Sequence, residues 1–120
     1  MARNVLVAPA PIRAALREGL RLVRAGKGGE GLRGETVRWA ERLAAGEPIS
    51  HEKARLMRAW LARHGAAEAE GAKRLRDPES PAAVAWLLWA ADPSIPYRRT
   101  GWQDPVAPWL RDVFSYYENR

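Results

Sequence analysis

The segment Ser80-Pro81-Ala82-Ala83-Val84-Ala85-Trp86-Leu87-Leu88-Trp89-Ala90-Ala91 limits the fold more than any other. From Ala82 to Ala91 it offers no polar side chain, so a helix built from it has no face suited to water. Ser80 is placed to cap that helix and Pro81 to open it, because the first helical position leaves its N–H unbonded in any case. The apolar run is about half of the roughly 20 residues that cross a bilayer. It therefore reads as a central rod, Pro81 to Ala91, inside a soluble helical bundle, stopped by Asp92-Pro93.

Other helices can be read around it. Pro11 to Ala25 carries Ile12, Leu16, Leu20 and Val23 on one face, with Gly26 beyond its last turn. A second helix runs from about Glu35 to Ala45, with Leu32 and Val37 placed as a staple across its start and Gly46 and Pro48 at its end. Ser50 caps a third, His51 to His64, with Leu56, Met57, Trp60 and Leu61 facing inward and Gly65 closing it. Residues 66–76 lack an apolar face and read as a solvated, helical connector. A last helix starts near Pro105 or Pro108 and shows Leu110, Val113, Phe114 and Tyr117 at helical spacing. Alternation of period two is confined to a short strand at Val5 to Val7. The chain, 120 residues long, is thus all-α: a single compact bundle of four or five short helices around the Trp-bearing rod. Residues 1–10 form an N-terminal arm, 11–96 the helical unit and 97–120 a C-terminal extension.

The charge is uneven. Twenty Lys and Arg face fourteen Asp and Glu, for a net +6. Residues 1–33 hold seven basic and two acidic groups, 34–76 nine and six, and 77–120 four and six. On the first helix Arg13, Arg17, Arg21 and Arg24 repeat the apolar spacing one residue later, a parallel stripe about 100° around the axis. Lys27 extends it, and Arg33, Arg38 and Arg42 follow in the next loop and helix. Solvated faces normally mix signs, and on the first helix only Glu18 does so. Planar guanidinium forks in a row suit phosphates, so these eight residues are the candidate nucleic-acid-binding set. The alternative is an acidic protein surface as the partner of the same stripe.

Catalysis finds little support. Cysteine is absent, which excludes disulfides, thiolate metal sites and a Cys nucleophile. His51 and His64 stand near opposite ends of one helix, about 20 Å apart along its axis, so no single metal binds both. His64 suits a helix C-terminus, while His51, in a first turn, reads as exposed. The scattered carboxylates mostly have an Arg or Lys within four residues, as helix-surface pairs do. Gly26-Lys27-Gly28-Gly29-Glu30-Gly31 matches a dinucleotide fingerprint only in its letters, because a helix precedes it where a strand is required. No cofactor, no metal and no enzymatic activity is expected. The second helix, the Gly46–Ser50 turn and the third helix have a helix-turn-helix outline, but Glu52 and Arg55 fall where buried aliphatics belong, so a plain helical hairpin is the better reading. Tyr97-Arg98-Arg99-Thr100-Gly101-Trp102 reads as a cap on the core before it reads as a base-stacking cluster.

Four segments together resemble a small helical module of tailed bacteriophages and prophages. They are Pro11 to Gly34, Glu35-Thr36-Val37 to Glu47-Pro48-Ile49-Ser50, Met57-Arg58-Ala59-Trp60-Leu61-Ala62-Arg63-His64, and Ser80-Pro81 to Ala85-Trp86-Leu87-Leu88-Trp89. That module shows R-M-x-x-[FW]-[FL]-x-R-H, a variable acidic loop, then [IV]-A-W-x-x-W-G-G-D, and occurs alone or attached to virion-associated proteins. The resemblance spans about residues 10–95. Leu56 stands where the module has the Arg before Met57, and Ala90-Ala91 replace its Gly-Gly, which suggests a helix that runs on instead of turning tightly. The resemblance implies a phage context and a helical fold, and no reaction. The expectation is a small phage-encoded, non-enzymatic nucleic-acid-binding protein of the host cytoplasm or the virion, without membrane association. The alternative is a phage interaction or assembly factor, or a host-enzyme inhibitor, docking on an acidic protein.

Overall fold

The computed structural model describes residues 4–29, 34–65, 79–91 and 106–119. Among them are five helices and no strand: α1 (Ala10–Arg24), α2 (Gly34–Ala44), α3 (His51–Gly65), α4 (Pro81–Leu88) and α5 (Val106–Glu118). The connector at 66–76, the Tyr97–Trp102 cluster, Leu32 and Arg33 lie outside the described residues. No helix among the described residues is long and apolar enough to cross a membrane.

The apolar rod is α4, with Ala83, Val84, Trp86, Leu87 and Leu88 buried. It packs mainly on α1, whose Ile12, Leu16, Leu20 and Leu22 are buried, and it also touches α2. The α1–α4 crossing is close because Gly19 has no side chain. A Cβ there would stand 2.9 Å from Leu87 Cβ and 3.2 Å from the Leu88 backbone nitrogen. A mid-helix glycine costs about 0.5–1 kcal/mol relative to alanine, and the close contact is what offsets that cost.

Three helices end in the same way. After α1, Gly26 N–H donates to the Val23 carbonyl at 3.0 Å and Lys27 N–H to Leu22 at 2.9 Å. After α2, Gly46 donates to Leu43 at 3.1 Å and Glu47 to Arg42 at 3.0 Å. After α4, Ala90 donates to Leu87 and Ala91 to Trp86, both at 2.9 Å. This paired closure needs a left-handed residue: Gly26 has φ 82°, Gly46 φ 92° and Ala90 φ 72°. The helix therefore does not run on through Ala90-Ala91, and it ends at Leu88. A tight turn forms here with an alanine as its left-handed residue. Ala90→Gly should relieve about 1–2 kcal/mol of left-handed strain against about 0.4–1 kcal/mol of added unfolded-state freedom. Thermal unfolding should show Tm raised by about 2–5 °C; an unchanged or lower Tm would mean that the strain is absent.

Residues 5–7 form a turn, not a strand. The Asn4 side-chain oxygen accepts from Leu6 N–H at 3.0 Å, and Val7 N–H donates to the Asn4 carbonyl at 3.2 Å. A short polar side chain bonding its own backbone two residues on competes with strand formation. The arm is latched to α5 and to the α2–α3 loop. Trp109 Nε1–H donates to the Val5 carbonyl at 2.8 Å, Ile49 N–H to the Leu6 carbonyl at 2.9 Å, and the Tyr117 hydroxyl to the Ile49 carbonyl at 2.6 Å. The last helix, read as an extension, shares the core through Val106, Trp109, Leu110, Val113 and Phe114.

Ser50 caps α3 as expected, its hydroxyl accepting from Lys53 N–H at 3.0 Å. The buried face of α3, however, is Lys53, Ala54, Met57 and Leu61, while Leu56 is 47% exposed. Positions 53, 57 and 61 share one stripe at four-residue spacing, and Leu56 lies about 100° off it. Nor do α2 and α3 form a hairpin or a helix-turn-helix. α2 packs on α1 and α3 on α5, and the two meet only marginally, with the Lys53 ammonium 5.9 Å from the Trp39 ring centroid.

Candidate nucleic-acid interface

The arginine stripe lies along the border of the exposed face of α1. Arg17, Arg21 and Arg24 are exposed and Arg13 is half-buried. One Arg17 guanidinium nitrogen donates to the Ala44 carbonyl at 3.4 Å. This places a cation at the C-terminal end of α2, where unpaired carbonyls and the helix dipole favour it. Arg13 Nε is buried without a hydrogen-bond partner. Arg24 and Arg38 are exposed, and no carboxylate pairs with either among the described residues.

Three members of the set meet carboxylates. Arg21 grips Glu18 with two parallel bonds of 2.7 Å, which lowers the Glu18 pKa through the hydrogen bonds and raises that of Arg21. Lys27 sits 3.0 Å from Glu79. Arg42 lies 3.5 Å from Glu47 and stacks 4.3 Å over the Trp39 ring. All three are exposed surface pairs, weak and further weakened by salt, so a phosphate can compete for each cation. The stripe is a row of cations broken by three carboxylates, with Arg13, Arg17, Arg24 and Arg38 left without one among the described residues.

The residue that sequence reasoning missed is Lys53. Only 3% exposed, its ammonium sits 3.8 Å from the Trp89 ring centroid and farther from Trp39. Burial lowers its pKa to about 8, with the Glu35 carboxylate opposing the shift more weakly. Its four-residue spacing from Met57 was the available signal. Beside it Trp60 stacks on Trp89 at 5.3 Å and meets Trp86 edge-on at 5.7 Å, so these tryptophans serve the core as expected.

His51, read as exposed, is half-buried, stacked on Tyr117 at 4.8 Å and edge-on to Phe114 at 5.9 Å. Among the described residues no group of His, Asp and Glu is arranged to hold a metal ion. Comparison with protein-family models, with curated proteins and with solved structures finds no match.

Proposed function

We propose that this chain is a small phage-encoded, non-enzymatic protein that binds nucleic acid through its phosphate backbone. The supporting observation is the stripe itself. Arg13, Arg17 and Arg24 on α1 and Arg38 on the adjoining α2 have no carboxylate partner among the described residues. Arg21, Lys27 and Arg42 are held only by exposed carboxylates, and Arg33 completes the proposed set. The phage context rests on the resemblance of the Met57–His64 and Ala85–Trp89 segments, and host cytoplasm or virion is the corresponding place of action.

A labelled duplex and a labelled single strand, titrated by fluorescence anisotropy at low and moderate salt, test the reading. Four neutralised phosphates give a log K against log salt slope of about −3.6 on duplex and about −2.8 on single strand. Absence of binding to both probes at low salt rejects it and leaves the acidic protein surface as the partner of the stripe.

A further inference from the structure

We propose that the cleft between α3 and α5 binds a small amphipathic carboxylate. The cleft has a volume of about 420 Å³, within the range of roughly 300–1,000 Å³ that small-molecule sites occupy. Ala107, Leu110 and Phe114 give it an apolar lining, and Arg58 and Arg111 stand on its wall.

These two arginines differ from those paired on α1 and α2: among the described residues no carboxylate neutralises either one. The Arg58 guanidinium lies 4.0 Å over the Phe114 ring. Contact with the ring restrains the guanidinium at the cleft, and its planar N–H fork suits a carboxylate through two parallel bonds. Lysine could not do the same, because its ammonium has neither plane nor fork.

Glu118 also lines the cleft, two turns beyond Arg111 and about 10 Å farther along the axis. A second negative charge at that end is repelled, so the site selects a single carboxylate joined to an uncharged apolar body. Such a ligand satisfies each part of the cleft: its carboxylate meets the arginines, its body covers the apolar lining, and its far end stays neutral.

The test uses the full chain, isotope-labelled, titrated with 4-phenylbutyrate and separately with its neutral amide. The carboxylate should shift the backbone signals of Arg111, Phe114 and Ser115 and saturate below about 1 mM, within the affinity available to a ligand of this size. The amide should bind at least about tenfold more weakly, as should the acid to Arg111→Gln, since each loses the charge-assisted bonds. Arg111 is exposed, so its replacement leaves the core intact. Arg58→Lys, which keeps the charge and gives up the fork, should also weaken binding, and Arg24→Gln on α1 should not. Equal binding of acid and amide, an unaffected Arg111→Gln variant, no shift at about 10 mM, or shifts confined to α1 would each overturn the proposal.

Discussion

Replacing Lys53 with methionine should stabilise the protein by about 2 kcal/mol at pH 7. The lysine is 3% exposed and its ammonium faces aromatic rings. Burial lowers its pKa from 10.5 to about 8, a gap equivalent to roughly 3 kcal/mol. The contact with Trp89 returns part of this, on the order of 1 kcal/mol. Methionine, unbranched and one heavy atom shorter, fills most of the same space and removes the buried charge, an exchange that is often stabilising.

The pH dependence fixes the sign. Below pH 8 the ammonium is charged in both states and folding carries the full cost of burying it. Between pH 8 and 10.5 the folded chain releases the proton while the unfolded chain still holds it. Wild-type stability therefore gains from this residue as pH rises through that window, and loses the same amount as pH falls through it. The advantage of Lys53→Met should shrink from pH 8 upward and nearly vanish above 10.5. Denaturant unfolding of both chains at pH 7 and pH 10 measures it. A constant difference, or a less stable variant, would show that the ammonium is better served by its surroundings than its burial implies.

The second large effect is at Gly19. Helix propensity alone favours alanine there by about 1 kcal/mol. The crossing opposes it, because the new Cβ would come within 2.9 Å of Leu87 Cβ and 3.2 Å of the Leu88 nitrogen. Overpacking of that kind costs about 1–3 kcal/mol. Gly19→Ala should therefore destabilise by about 1 kcal/mol net, and Gly19→Leu, which must push α1 off α4, by roughly 3 kcal/mol or more. A stabilised Gly19→Ala would mean that α1 and α4 do not cross at this point.

What could be read from the chain follows from where the determining forces act. The apolar run as far as Leu88, the Ser50 and Ser80 caps and the closing glycines Gly26 and Gly46 are local signals, and each holds in the fold. Local readings failed where a distant partner decides. Leu56 projects outward because the buried stripe of α3 is Lys53, Met57 and Leu61, with the Lys53 ammonium seated on the Trp89 ring. Residues 5–7 turn because Asn4 bonds its own backbone and Trp109 holds the Val5 carbonyl. Ala90 turns left-handed although its type argues for a helix, since the Ala90 and Ala91 N–H groups close on Leu87 and Trp86.

The stripe on α1 is legible as a four-residue repeat, and so is its interruption by Glu18. The approach of Glu79 to Lys27 is not, because it depends on how the loop after α1 meets the start of α4. The Arg58 stack on Phe114 was equally hidden, since it joins two helices far apart in the chain.

The central claim is that the arginines of α1 and α2 lacking carboxylate partners hold nucleic-acid phosphates. Its most direct measurement compares wild type with a quadruple variant, Arg13→Gln, Arg17→Gln, Arg24→Gln and Arg38→Gln, on one duplex probe across a range of salt. Wild type should bind with a slope of about −3.6, and the variant, folded by circular dichroism, should lose at least about two-thirds of that slope and bind more weakly at every salt concentration. A folded variant with the wild-type slope and affinity would contradict the claim.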